Sequence, residues 1–380
     1  MILPAIAGFL IVTIVLWDAF ETIILPRRVA RWFRITRLFY VSTWIPWRGL
    51  ARKIRSSKVR ESFVSYFGPL SLLCLFVVWA AALIFGFACM YYGAAANGDT
   101  TQPTFSTLLY MSGTTFFTLG LGDVVPHTAG ERRLAVFEGG LGFGFLALVI
   151  SYLPVIYQAF SRREVNIVLL DARAGSPPTA AELLRRHSGP HGFDALQQLL
   201  HDWERWSAEL LESHISYPVV SYFRSQHSNE SWLGALTALL DTSAFLIASA
   251  DNPCSRQARL TFAMCRHTVV DLAQVFYATP RATPIDRLPA SELRRLRSSL
   301  VESGYRLLDG PEADEKLTKL RGMYEPYVTA LAFYLYVDLP PWILAKEVTD
   351  NWKTSAWGRI SGFAATTAKE KEEVTVDDHL

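Results

Sequence analysis

Thr118-Leu119-Gly120-Leu121-Gly122-Asp123 sits between two long apolar segments, and that placement gives a short glycine-rich run a physical reading. Glycine tolerates φ > 0, so alternating glycines let several successive peptide carbonyls turn toward one side. A wall of carbonyl oxygens, with the Thr118 hydroxyl at its inner end, can replace the water a cation sheds on entering a membrane. One chain supplies one wall, so a complete site needs several chains around a common axis. The preceding stretch, Phe105 to Phe116, has the length of a short half-helix that stops mid-membrane. Taken alone, G-x-G-D also fits an ordinary turn; the apolar flanks favour the first reading.

With those residues in view, the segment resembles the filter of the potassium channel family, in which four T-V-G-Y-G-type loops line a pore. Leu119 stands where Val is usual and Leu121 where Tyr is usual. A G-L-G version resembles the second pore loop of some animal two-pore-domain potassium channels. The resemblance runs from about Phe105 to Phe160, is weak before that and absent after it. It implies that the carbonyls of Thr118, Leu119, Gly120 and Leu121, with the Thr118 hydroxyl, bind potassium ions, and that Gly122 completes the loop. It also implies that the side chains of Leu119 and Leu121 pack away from the ion. Leu121 lacks the aromatic hydroxyl that usually ties the filter to the pore helix, which bears on strict selectivity. Asp123 matches a carboxylate that bonds pore-helix side chains behind the filter; Tyr110 and Thr114 are its partners by offset, and a solvated mouth carboxylate is the alternative.

Length and composition agree with a membrane-embedded part joined to a water-soluble part. The chain has 380 residues, 51% of them hydrophobic, and a net charge of only +2. Four cysteines (Cys74, Cys89, Cys254, Cys265) show no C-x-x-C or zinc spacing, so reduced, buried thiols are expected. No phosphate-binding or dinucleotide motif, catalytic triad or metal cluster is evident. The expectation is a protein that is not an enzyme, has no organic cofactor and binds no nucleic acid.

Ile2 to Leu25 is long enough to span a bilayer, which takes about 20 residues. It lacks the basic start and small-residue cleavage site of a signal peptide. Arg27 to Arg60 then carries eleven Lys/Arg and no acid, which places it in the cytoplasm by the positive-inside rule. Its interleaved Trp32, Trp44 and Trp47 suit a helix lying at the headgroup surface. Ser65 to Tyr92 is the second predicted span, Gly93 to Pro103 an outer loop, and Glu131 to Phe160 the last span, about 45 Å if helical. The N-terminus is then outside, with three full spans and one re-entrant loop. Arg28, Arg31, Arg34 and Arg37 recur at the spacing of a voltage-sensor helix. An interfacial helix is favoured, because a single proline separates them from the first span. Asp18 and Glu21 serve either as counter-charges or as partners of Arg28 or Arg31.

Beyond the last span the pattern changes. Val165 to Leu170 reads as a short strand or a helix start. Helices are expected over Ala180–His187, Phe193–His214, Ser231–Ala250, Arg256–Tyr277, Ser291–Leu308 and Glu312–Val337. Trp232 to Ala250 is apolar enough to be a fourth span, but Asp241 at its centre favours a buried helix of a soluble domain. Arg266 and His267 lie at helical spacing from Asp271. The expected architecture is an all-α membrane protein. Residues 1–26 form an N-terminal transmembrane helix, 27–62 a basic interfacial segment and 63–162 a pore module of outer helix, pore helix, filter and inner helix. Residues 163–368 form a helical cytoplasmic domain and 369–380 a disordered tail.

Within the last span, Glu138 is an intramembrane carboxylate and therefore a functional candidate. It braces the back of the filter, faces a water cavity, or is a neutral acid bonded to a neighbouring helix; the residues leave all three open. Gly139, Gly140, Gly142 and Gly144 with Pro154 resemble the hinge and bend of potassium-channel inner helices, against simple close packing. Ile150, Leu153 and Ile156 are the candidates for an apolar gate. The expected function is a homotetrameric potassium-selective channel in the plasma membrane, the inner membrane if bacterial, gated under the influence of the cytoplasmic domain and an unknown ligand. A weakly selective cation channel and a membrane-anchored signalling protein with a vestigial pore are the alternatives.

Overall fold

The computed structural model describes residues 2–25, 34–95, 103–189, 192–226, 229–249, 253–282 and 285–345. Within them the chain is helical, with no strand. It divides into two units: Met1–Ser161 with Glu212–Arg224, and Arg162–Leu211 with Ser225–Leu380. Arg28 and Arg31 of the arginine repeat, and the charged tail, lie outside the described residues.

The first unit contains α1 (Ile2–Ile23), α2 (Ile35–Lys53), α3 (Ser57–Ser65), α4 (Phe67–Ala95), α5 (Phe105–Phe116) and the first part of α6 (Ala129–Ala174). α1, α4 and α6 are each long and apolar enough to cross a membrane. Lipid tails give no hydrophobic drive for one such helix to join another, so close backbone approach must supply the contact. Small residues allow it between α1 and α4. A methyl group on Gly8 would sit 2.3 Å from the Gly86 carbonyl oxygen, and one on Gly93 would sit 2.6 Å from the Ala5 Cβ. The opposite face of α1 exposes Ile6, Phe9, Leu10 and Ile14, as a lipid-facing helix would.

Asp18 is fully enclosed near the end of α1. Its Oδ2 accepts hydrogen bonds from the Thr36 N–H at 3.0 Å, the Thr36 hydroxyl at 2.6 Å and the Trp79 indole at 3.1 Å. One carboxylate thus ties together α1, the start of α2 and α4, which offsets part of its burial cost. Glu21 accepts from the Trp17 indole at 2.7 Å and lies 3.7 Å from Arg34 Nε.

α2 turns one face inward, with Tyr40, Trp44 and Ala51 buried and Leu38, Val41, Ile45 and Leu50 exposed. The inward face meets an aromatic cluster. Trp44 and Phe67 have ring centroids 4.7 Å apart, and Tyr40 stacks on Tyr222 at 5.5 Å. Tyr222 belongs to the short 3-10 turn Pro218–Tyr222, in the segment that returns to this unit late in the chain. The next residue, Phe223, packs where a side chain on Gly68 would stand: a Cβ there would lie 2.7 Å from its ring.

The second unit is built around one helix. α7 (Ala180–Arg186), α8 (Gly192–Ser216, as far as Leu211 in this unit), α9 (Trp232–Ser249), α10 (Ser255–Val275), α11 (Ala290–Glu302), α12 (Pro311–Gly322) and α13 (Glu325–Leu335) follow in order. α9 packs against α7, α10, α12 and α13, and all its residues but Ile247 are buried. That enclosure makes it a core helix, although its composition would allow a span. Its central Asp241 is paired: Arg287 reaches it with two nitrogens at 2.5 and 3.2 Å, and the Tyr324 hydroxyl donates at 2.5 Å. Burial alone would lower the pKa of the Arg287 guanidinium; Asp241 first, then Tyr324 and Glu325, hold it above its ordinary value.

Four expectations are corrected here. The helix that carries the last predicted span does not stop at Phe160: α6 stays helical to Ala174, absorbing Val165–Leu170 as helix and ending before Gly175 at φ 82°. The predicted Glu312–Val337 helix is two helices, because Gly322 ends α12 and Pro326, which has no N–H to give, fits the first turn of α13. The predicted Ser291–Leu308 helix ends at Glu302, with Gly304 at φ 89° just beyond. Finally, His267 pairs with Asp271 at 3.7 Å, but Arg266 donates to the Met323 carbonyl at 3.3 Å instead. Of the cysteines, Cys74 is exposed and the other three are buried; all are free.

Candidate functional site

The glycine-rich loop takes its shape from the helix before it. Thr104 caps the start of α5, its hydroxyl accepting from the Thr107 N–H at 3.3 Å. At the other end the Leu119 N–H reaches the Thr114 carbonyl at 2.8 Å and the Thr118 N–H reaches the Thr115 carbonyl at 3.0 Å. This is the paired bonding of a Schellman stop, which requires a left-handed residue just past the helix. That residue is Thr118, at φ 57°. A threonine there is strained, since its branched Cβ disfavours positive φ. Helix end and loop start are therefore the same residue.

Positive φ recurs at every second residue: 57° at Thr118, 60° at Gly120 and 78° at Gly122. A Cβ on either glycine would meet nothing within 4 Å in the single chain, so conformation and not space explains glycine there. Leu119 and Leu121 are more than 60% exposed, two large apolar side chains without cover from their own chain. After the loop, Thr128 and Glu131 start α6 as a capping box. The Thr128 hydroxyl accepts the Glu131 N–H at 3.2 Å, and the Glu131 carboxylate accepts the Thr128 and His127 N–H groups at 3.2 and 2.8 Å.

The structure brings the Tyr110 phenol and the Asp123 carboxylate close enough to interact. Thr114 is elsewhere engaged, its hydroxyl donating to the Met111 carbonyl at 2.9 Å. Glu138 is fully buried. One of its oxygens accepts from the Tyr91 hydroxyl of α4 at 2.8 Å, and the other accepts from the Ser112 hydroxyl of α5. A carboxylate enclosed by two helices of its own chain does not line a water cavity, so that alternative falls. Tyr91 and Ser112 were not among the sequence candidates, because nothing local in the sequence links them to Glu138.

Two of the glycines differ sharply. A Cβ on Gly142 would lie 1.9 Å from the Phe116 carbonyl oxygen and 2.8 Å from its carbon, so Gly142 is where α6 presses on the last turn of α5. Gly144 faces open space in the single chain. Farther along, Ile150 is 62% exposed, Leu153 is partly exposed and Pro154 is exposed within the helix, whereas Ile156 is fully buried. Ile156 is therefore removed from the gate candidates: it lies about 240° around the helix from Ile150, on the packed face.

Among the described residues no cluster of His, Cys, Asp or Glu is arranged to hold a metal ion. In the second unit a shallow polar depression is lined by Asp194, Gln197, Gln198, His201 and Gln257.

The profile of a family described as ion channel matches residues 72–158, from within α4 through the loop to α6. The chain is 25% identical over 205 residues to the uncharacterized membrane protein YdjJ of Bacillus subtilis, a match covering 52% of this chain and 58% of that protein. It is 32% identical over 94 residues to protein LctB of Geobacillus stearothermophilus, covering 22% of this chain and 69% of that one. The chain thus spans little more than half the length of the Bacillus relative. No solved structure matches.

Proposed function

The chain belongs to the ion channel family, of the pore-loop potassium-channel type, and on that footing we propose that it is a passive, potassium-selective channel made of four copies. The observation that carries this reading is the alternation of positive φ at Thr118, Gly120 and Gly122 in a loop held between two apolar helices. Such a backbone lets the carbonyls of residues 118–121 face one side and strip an ion of water in steps, with the Thr118 hydroxyl innermost. Four loops around an axis would also cover Leu119 and Leu121. The same packing would engage the exposed apolar stripe Val136, Phe143, Ile150 and Tyr157 of α6, which repeats every seventh residue.

The family points to transport and not catalysis, and conduction needs no organic cofactor. In this reading the basic segment before α4 lies on the cytoplasmic leaflet of the plasma membrane, with the second unit on the same side. There it assembles the tetramer or relays a ligand to the inner helix. Gating draws on Gly144, Ile150, Leu153 and Pro154, with Gly142 fixed by its contact.

Full-length protein in liposomes, with potassium and sodium on opposite sides, tests the proposal. A reversal potential that follows potassium supports it, and no ion flux at all overturns it. A reversal potential near zero selects the weakly selective alternative, which the missing hydroxyl at Leu121 motivates. Gly120→Ala forces an L side chain into φ 60° on the proposed axis, and its flux should fall to background at equal protein. Tyr110→Phe keeps the ring but removes the hydroxyl close to Asp123. A sodium-to-potassium permeability ratio raised about fivefold is expected, on the scale of one hydrogen bond; unchanged selectivity and inactivation would remove Tyr110 from the filter's support.

A further inference from the structure

We propose that Tyr91 of α4 and Ser112 of α5 are positioning residues for ion selection that act through Glu138 of α6. This rests on the channel reading above. The three side chains are all fully buried. The Tyr91 hydroxyl donates to one Glu138 oxygen at 2.8 Å, and the Ser112 hydroxyl donates to the other. Ser112 also lies 2.9 Å from the Ile84 carbonyl of α4. One carboxylate therefore joins the outer, pore and inner helices at a single point, behind the pore helix.

Geometry ties that point to the filter. Ser112 and Phe116 are one turn apart on α5, and Glu138 and Gly142 are one turn apart on α6. The two helices touch at both levels, through Ser112 with Glu138 and through the Phe116 carbonyl against Gly142. Two contacts a turn apart fix both the rotation and the height of α5 against α6. The end of α5 is in turn bonded to the filter's first residues, Thr118 and Leu119. A shift of the helix must then move the first carbonyls of the loop.

The chemistry argues for function over simple packing. A carboxylate inside a membrane is expensive, and hydrophobic residues would join three helices more cheaply. What the carboxylate adds is direction: it accepts from hydroxyls on two other helices and so fixes their relative rotation, which apolar contacts leave loose.

The test uses full-length protein in liposomes under opposed potassium and sodium gradients. Tyr91→Phe and Ser112→Ala each remove one hydroxyl and little volume. Each is expected to lower the potassium-to-sodium permeability ratio about tenfold, the scale of a hydrogen bond to a charged group. The double variant should fall little further than either single variant, because both act through one carboxylate. The ratio does not depend on how many channels assemble, so a merely structural defect would lower flux and leave it unmoved. Wild-type ratios in both variants overturn the proposal while leaving the channel reading intact, and so do full independent effects that multiply in the double variant. Absence of potassium flux in the wild type would instead sink the channel reading, and this proposal with it.

Discussion

Gly142→Ala is expected to abolish potassium flux while leaving the second unit folded. The added methyl would sit 1.9 Å from the Phe116 carbonyl oxygen and 2.8 Å from the carbonyl carbon. Both are backbone atoms, so no side chain can swing aside. Relief would require α5 and α6 to separate, which breaks the Ser112–Glu138 contact one turn away and drags Thr118 with the helix end. Overpacking of this kind typically costs about 1–3 kcal/mol or more. Here the larger effect is on geometry, since the displaced atoms lead directly into the ion-binding loop. Gly139→Ala is the control: its Cβ would stand 3.8 Å from the Thr115 carbonyl, ordinary contact distance. Flux at matched protein, with thermal unfolding followed in parallel, decides. Normal flux from Gly142→Ala would mean that α5 and α6 are not packed this way in the working protein.

Asp241→Ala should give the largest loss of stability in the second unit. Asp241 is fully enclosed, and its two oxygens hold Arg287 and Tyr324. Removing it strands a buried guanidinium, whose remaining carboxylate neighbour, Glu325, is 3.4 Å away and shared with Arg321. Breaking a buried ion pair on one side costs about 3–5 kcal/mol, a large share of a domain's total stability. Replacing both partners with apolar residues of similar volume, as in Asp241→Leu with Arg287→Met, should recover most of the loss. Thermal unfolding of the three proteins gives the order; equal midpoints for Asp241→Ala and wild type would count against a load on this pair.

Much of the pore was legible because it depends on neighbours in sequence. The bounds of α5, Phe105 to Phe116, follow from a threonine cap after a proline and from the glycine loop beyond. Gly120 and Gly122 announced their positive φ. Thr118 did not, because a threonine in that conformation is forced by the helix stop and not by its own preference. Glu138 stood out as a charge in an apolar span, yet its partners lie 47 and 26 residues away, and no local pattern reveals them. The same holds for Asp241 and Arg287, 46 residues apart. Gly142 and Gly144 look alike in sequence; only the helix on the other side of the contact separates a tight approach from open space. The spacing of Ile150, Leu153 and Ile156 drifts around the helix, so the third falls on the buried face. Gly322 and Pro326 signal the break between α12 and α13, although helical spacing of apolar residues continues across it.

The late return of Glu212–Arg224 to the first unit has a consequence for how the protein comes into being. A ribosome that has reached Ser161 has not yet made Tyr222 and Phe223, which cover Tyr40, Trp44 and Gly68. The membrane half must wait, partly uncovered, while some fifty residues belonging to its neighbour are synthesised. A gene cut after Ser161 would encode a protein permanently caught at that stage, so the two halves have to be inherited as one piece.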